Sequence, residues 1–147
     1  MQAKRKEQRA KGMRQGGENK AERAKGKVSK QSHWRFQDLE IWQLACELAA
    51  KFHRLAEDLD QRRLYRYADQ LRGAGLSLSN NIAEGAGSIH KQEFIQFLNI
   101  ARRSVFEDAS MLLVFEKLGL IDSKQVHELL SDCDLLSRKI TNFSLSL

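Results

Sequence analysis

Four successive runs of the chain, from Trp34 onward, carry apolar side chains at steps of three and four residues. The runs extend over residues 39–59, 64–82, 94–118 and 126–143. Such steps place the apolar side chains of a run along one side of an α-helix, and none of the runs alternates as a strand would. The sequence contains no proline that would interrupt a long helix. The pattern therefore predicts an all-α fold, an antiparallel up-down-up-down four-helix bundle.

Several residues predict where the helices begin and end. Asp38 precedes the first run and is the expected N-cap of the first helix. Gly85 and Gly87 are expected to end the second helix, and Gly119 the third. Asp122, with a glutamine three residues later, predicts a capping box at the start of the fourth helix.

Two further glycines, Gly73 and Gly75, lie inside the second run. Each lowers the helix propensity by about 1 kcal/mol relative to alanine. In a bundle, however, such small residues allow two helices to approach closely, and this is the alternative interpretation of both positions.

The positive charge of the chain is concentrated at its N-terminal end. Residues 1–30 contain 11 lysines and arginines against 3 glutamates, a net charge of +8, whereas residues 31–147 have 14 basic and 16 acidic residues, a net charge of −2. Residues 1–33 also contain almost no large apolar side chain, so we expect a disordered basic arm there and the bundle in residues 34–147. The candidate contacts to RNA or DNA are the cations of this arm: Lys4, Arg5, Lys6, Arg9, Lys11, Arg14, Lys20, Arg23, Lys25, Lys27 and Lys30.

Two other interpretations of the arm remain open. Met13 is an alternative start of translation, which would remove the first cations from the protein. Alternatively, the whole arm is a solubilising tail without a specific partner.

The sequence also limits the compartment. Its longest stretch without a charged residue, Gly73–Ala83, has 11 residues, too few to cross a bilayer. No apolar stretch follows the basic start, so we do not expect a secretory signal peptide. Cys46 and Cys133 have no metal-type spacing, which predicts reduced thiols in a cytoplasm.

The motifs of catalytic bundles are missing from the sequence. A carboxylate-bridged di-metal site needs Glu-x-x-His on two helices, and no histidine here has a glutamate three residues before it. Neither cysteine has a histidine at a helical neighbour spacing, and no P-loop is present. We therefore expect no enzyme, no metal and no cofactor. The segment Gly85–Gly87, if it opened the third helix, could hold an anion at a helix N-terminus, although a plain turn is the simpler interpretation.

Two acidic residues stand out in the helical runs. Asp108 falls on the apolar stripe of the third run, where it is either buried against a basic partner such as Arg72 or located at a subunit interface, the commoner arrangement. Glu84 follows Asn80 and Asn81 near the end of the second run. We interpret it as a structural residue that binds free backbone groups between helices.

The segments Ser79-Asn80-Asn81-Ile82-Ala83-Glu84-Gly85 and Glu93-Phe94-Ile95-Gln96-Phe97-Leu98 are not generic bundle sequence. Together they resemble the four-helix bundle proteins encoded in intervening sequences of bacterial 23S ribosomal RNA genes, sometimes called S23 proteins. The resemblance covers residues from about Phe36 to Ile140. The positions that match the family signature are Arg72, Asn81, Glu84, Gly85, Glu93, Phe94, Phe97, Arg102 and Glu107.

The resemblance implies a small, non-enzymatic bacterial cytoplasmic protein that assembles as a ring-shaped homopentamer and binds RNA. The chain is also similar to accessory proteins of diversity-generating retroelements, which bind a reverse transcriptase and nucleic acid. It departs from the family pattern at Ser88-Ile89-His90, where basic residues are usual, at Arg103, where a glycine is common, and at Asp108-Ala109, which replaces a Leu-Glu pair.

Two functional hypotheses follow. The first is a nucleic-acid-associated homo-oligomer in which the arm supplies phosphate contacts. The second is a protein-interaction scaffold whose bundle docks a partner such as a reverse transcriptase, an interpretation favoured by the slightly acidic bundle.

Overall fold

A computed structural model describes residues 31–147 and shows the predicted helical bundle. A short 3-10 helix, Arg35–Asp38, leads into α1 (Glu40–Gln61), which is followed by α2 (Tyr65–Ala86), α3 (Lys91–Lys117) and α4 (Ser123–Ser146). The all-α fold is thus confirmed for this part of the chain. The predicted arm lies almost entirely outside the described residues, so its disorder and the boundary after residue 33 stay predictions.

The four helices pack as a closed square. Within residues 31–147, α1 packs on α2, α2 on α3 and α3 on α4, and α4 returns to α1, whereas the backbones of the diagonal pairs lie farther apart. Connections of three to five residues join consecutive helices. Because such short connections force sequential helices to run antiparallel, the arrangement is the up-down-up-down bundle.

The start of α1 differs from the prediction. Asp38 is not the N-cap, because it is the last residue of the 3-10 helix and Leu39, in an extended conformation, takes the N-cap position. The 3-10 turn is closed by the Trp34 amide, which donates to Oε1 of Gln37 at 2.6 Å, and by the Gln43 side chain, which donates to the Gln37 carbonyl at 2.8 Å. These contacts position the entry to α1 without a capping side chain.

Of the two glycines expected to end α2, only one does so. The helix continues past Gly85 to Ala86, and Gly87 is its C-cap, as predicted. A β-carbon on Gly85 would lie 2.7 Å from Cβ of Phe97 and 2.8 Å from Cδ2 of Phe94, so this glycine permits close contact between α2 and α3. The segment Gly85–Gly87 therefore does not open the third helix and offers no helix N-terminus to an anion.

The remaining helix ends follow the sequence signals. Gly119 has a φ of +68°, and Leu120 donates its backbone N–H to the Phe115 carbonyl at 2.9 Å, which terminates α3. At the start of α4, Oδ1 of Asp122 accepts the Gln125 backbone N–H at 2.8 Å, so Asp122 is the predicted N-cap. Within residues 31–147 the Gln125 side chain does not return a hydrogen bond, so only this half of the predicted capping box forms.

The two glycines inside α2 have separate roles. A β-carbon on Gly75 would lie 2.8 Å from Cα of Ala49, so α2 and α1 touch backbone to backbone at this point. Nothing lies within 4 Å of a β-carbon built on Gly73. Within the protomer, the close-approach interpretation is therefore confirmed for Gly75, whereas no helix of the described residues approaches Gly73.

The core of the described bundle contains one charged residue, Asp108. The core is otherwise lined by the predicted apolar stripes, whose largest fully buried members are Phe52, Leu59, Leu71, Leu78, Ile82, Leu98, Leu112, Leu136 and Ile140. Asp108 is 5% exposed, and its Oδ2 has no hydrogen-bond partner. Arg72, the predicted partner, instead forms ion pairs with Asp60 and Asp69, so that pairing is wrong.

Burial dominates the ionisation of two groups in this core. Desolvation, with a smaller contribution from neighbouring Glu107, raises the pKa of Asp108 to about 7. Desolvation likewise raises the pKa of the Cys133 thiol to about 12, with Asp108 as the next contribution. The two groups therefore share one poorly solvated region of the bundle.

The glycine contacts yield a prediction about stability. We expect Gly75→Ala to lower the free energy of unfolding by about 1–3 kcal/mol, because the added methyl group would collide with the α1 backbone. The matched control is Gly73→Ala, which should raise it by up to about 1 kcal/mol through helix propensity alone. Urea unfolding followed by circular dichroism measures both, and equal effects of the two substitutions would contradict the packing assignment.

The raised pKa of Asp108 yields a second prediction. A carboxyl whose folded pKa exceeds its unfolded value of 3.8 adds stability below about pH 4, and this contribution is lost as the pH rises towards 7. We therefore expect Asp108→Asn to be nearly neutral at pH 4 and to stabilise the fold by about 2–4 kcal/mol above pH 7. Urea titrations of both proteins in dilute solution, compared pH by pH, measure this difference. A difference that does not change with pH would show that Asp108 is ionised normally.

Candidate interaction surfaces

The predicted nucleic-acid contacts, Lys4 to Lys30, lie outside the described residues. The structure therefore neither places these cations nor tests their role. The surfaces that can be analysed belong to the bundle.

Four signature residues meet where α2 turns into α3. Gly85 receives the side chains of Phe94 and Phe97, and Phe94 makes an edge contact with Phe143 of α4 at a centroid distance of 5.6 Å. Glu93, in the first turn of α3, accepts the hydroxyl of Ser88 from the preceding turn. The most specific part of the signature thus builds a helix junction.

Two other signature residues stabilise α2. Arg72 is paired with Asp60 near the C-terminal end of α1 and with Asp69 at 3.5 Å, and its hydrogen bond to Asp60 raises the pKa of Arg72. Asn81 donates to the Ser77 carbonyl at 2.8 Å, one turn earlier in the same helix. Both contacts are structural.

Glu84 does not have its predicted role. Its side chain is exposed, and α2 continues past it for two more residues. Within residues 31–147 its carboxylate makes no hydrogen bond to a backbone group between helices. Its exposure leaves the carboxylate available at the surface of the bundle.

The last two signature residues lie on α3. The guanidinium of Arg102 sits over the ring of Phe106, 5.2 Å from its centroid, while Nε of Arg102 is buried without a hydrogen-bond partner. Glu107 is exposed. The nine signature residues therefore do not converge on one pocket, and they offer no catalytic arrangement.

A groove between α2 and α3 is acidic. It has a volume of about 410 Å³, and we call it the acidic groove. Its lining residues are Asp69, Gln70, Gly73, Ala74, Ser77, Ser104, Glu107, Asp108 and Met111. Three of these residues carry carboxylates and none is basic. The lining residues of α2 include small side chains, and no other atom of the described residues occupies the space above Gly73.

A neighbouring face of α3 is basic and partly apolar. Six exposed residues recur there at alternating steps of four and three, and we call them the basic ridge: Asn99, Arg103, Phe106, Ser110, Leu113 and Lys117. Phe106 is 59% exposed and Leu113 is 44% exposed, although both are large apolar side chains. Phe106 also borders a pocket formed with α4, so the ridge lies towards α4 and the acidic groove towards α2.

Neither surface was predicted from the sequence. Asp108 was assigned to the core or an interface, but it was not grouped with Asp69, which is 39 positions earlier in the chain. The available signal for the ridge was the apolar pair Phe106 and Leu113, which falls outside the core stripe at a spacing of seven residues. A second apolar stripe on one helix indicates a second contact surface.

The groove has the wrong arrangement for a metal ion. Among residues 31–147, no three histidine, cysteine, aspartate or glutamate side chains are close enough together to hold one. In the same part of the chain, no helix combines the length and apolarity needed to cross a membrane.

Comparison with known proteins identifies the family. A family model described as the 23S rRNA-intervening sequence protein matches residues 37–142, which confirms the resemblance found in the signature segments. None of the curated proteins compared with the chain matches it. Because the match extends from the 3-10 helix to the last turns of α4, the chain belongs to the 23S rRNA-intervening sequence protein family.

Proposed function

We propose that the protein is a non-enzymatic homo-oligomer that binds RNA through its N-terminal arm. The observation that carries this proposal is the division of charge, with a net +8 in residues 1–30 and −2 in residues 31–147. A polyanion attracts the first segment and is weakly repelled by the second. The bundle then holds several arms together, and the arms supply the phosphate contacts.

Self-association would strengthen weak arms. Once one arm of an oligomer binds an RNA, the others act at a high effective concentration, so overall affinity exceeds that of a single arm. The family resemblance implies a pentamer, and the exposed apolar side chains of α3, Phe106 and Leu113, supply contact area for self-association. We place this assembly in the cytoplasm, in keeping with the two free thiols.

The proposal assigns no catalysis to the bundle. The Cys133 thiol is buried and its pKa is raised to about 12, so it remains protonated and unreactive at neutral pH. Oδ2 of Asp108 has no hydrogen-bond partner in the described residues. The proposed function therefore uses neither group as a nucleophile or a base.

The role of the arm is testable in the full chain. We expect neutralisation of five arm cations to weaken RNA binding at least about tenfold and to make the slope of log K against log salt shallower by about 0.7 for each phosphate that is no longer neutralised. The substitutions are Lys4→Gln, Arg5→Gln, Lys6→Gln, Arg9→Gln and Lys11→Gln. Fluorescence anisotropy with a structured RNA over a range of salt concentrations measures both quantities.

The matched control removes the same charge from the bundle. It replaces five exposed cations by glutamine, namely Arg35, Arg54, Arg66, Lys91 and Lys124. This variant should retain the affinity and the salt slope of the unchanged protein. Equal losses from the two variants would mean that only the total charge matters and would contradict the assignment to the arm.

A second function is favoured by the exposed apolar side chains of α3. In that alternative the bundle is an accessory subunit that docks another protein, such as a reverse transcriptase, on Phe106 and Leu113. The variant with five neutralised arm cations distinguishes the two functions, because in this alternative it would still co-purify with a reverse transcriptase. If this variant lost both the reverse transcriptase and the RNA, the result would favour the function in which the arm makes the contacts.

A further inference from the structure

The acidic groove contains a carboxylate that lacks a partner within the described part of its own protomer. Asp108 is more than nine-tenths buried, its Oδ2 has no hydrogen bond, and the residue lines the groove. A buried carboxylate without a partner is unfavourable, because it has given up hydration and received no compensating charge. A cation that entered the groove would relieve this cost.

The basic ridge carries such a cation. Arg103 is exposed, and no ion pair of its guanidinium is present in the described part of the chain. Phe106 follows it on the ridge and projects an exposed ring held against the Arg102 guanidinium. An arginine beside an exposed aromatic ring is typical of the anchors at protein–protein interfaces.

The groove also has space for side chains of another copy. The ridge bears the exposed ring of Phe106, whereas the groove has Gly73, Ala74 and Ser77 on its α2 side and open space above Gly73. Small residues allow another helix to approach closely, as Gly75 does for α1 inside the protomer. The charges of the two surfaces of one chain are therefore complementary, and the small residues of the groove leave space for the side chains of the ridge.

We infer that the acidic groove of one protomer receives the basic ridge of a second copy, with Arg103 of that copy paired to Asp108. The inference rests on the proposed self-association and names its contact surfaces. Because the acidic groove and the basic ridge are different faces of the protomer, each copy has one groove and one ridge available for contact. Such a head-to-tail contact repeats from copy to copy and closes into a ring when the rotation permits.

Two substitutions test the two surfaces separately. Arg103→Glu reverses the cation of the ridge, and we expect it to weaken self-association roughly 100-fold. Gly73→Gln blocks the groove with a polar side chain whose β-carbon meets no other atom of its own protomer, and we expect a similar loss. Sedimentation velocity of the full chain over a range of concentrations measures the association.

The groove variant also separates assembly from folding. Gly73→Gln should raise the thermal midpoint of the dissociated protomer, because glutamine is the better helix former, while it lowers assembly. Asp108→Asn should act in the same direction, with a more stable protomer and a weaker oligomer. A merely structural role of either residue would change stability without this loss of association.

The matched control is Arg54→Glu, which makes the same charge change at an exposed arginine of α1 and should leave association unchanged. Mixing the Arg103→Glu and Gly73→Gln variants should produce a 1:1 pair and nothing larger, because only one intact groove and one intact ridge remain. An unchanged protein that is monomeric at every concentration overturns both the inference and the proposed oligomer. An oligomer that survives Arg103→Glu and Gly73→Gln with unaltered affinity overturns the inference alone.

Discussion

At Gly75 and Gly85 the backbone of α2 comes so close to α1 and α3 that a β-carbon would lie within 3 Å of atoms of the neighbouring helix. These two contacts determine the position of α2 between α1 and α3. Much of the described structure depends on that position. The Arg72–Asp60 pair ties the same helix to the C-terminal end of α1. Since α2 is held on both sides, the groove along its α3 side has a defined width and a defined set of lining residues.

The buried carboxylate of Asp108 is the reason why the acidic groove is a candidate contact surface. A carboxylate in the core, with its pKa raised to about 7, destabilises the protomer at neutral pH relative to an uncharged side chain. The same carboxylate favours a contact that brings in a cation. In the proposed oligomer, protomer stability and assembly would therefore oppose each other at Asp108, and Phe106 and Arg103 on the next face of α3 have the chemistry to complete the contact.

The arm and the bundle divide the proposed function between them. The arm carries the net positive charge, and the family match begins only at residue 37. The specific signature, at Gly85, Glu93 and Phe94, stabilises the junction of α2 and α3 instead of forming a site. These signature residues therefore account for the fold. In the proposed function, the partner is selected by the surfaces of the bundle and by segments outside the residues that match the family.

Four helices, their order and the separation of charge were determined by the sequence alone, because apolar periodicity and net charge are properties of contiguous segments. The helix ends at Gly119 and Asp122 were equally predictable, since a left-handed glycine and a capping carboxylate act on their own backbone. Asp38 was misassigned because the 3-10 turn formed by Trp34 and Gln37 competes with a simple N-cap. The roles of Gly75, Gly85 and Asp108 were decided only by the tertiary structure. Each depends on which atoms of another helix face it, and residues as far apart as Asp69 and Asp108 share a surface only after the helices have packed.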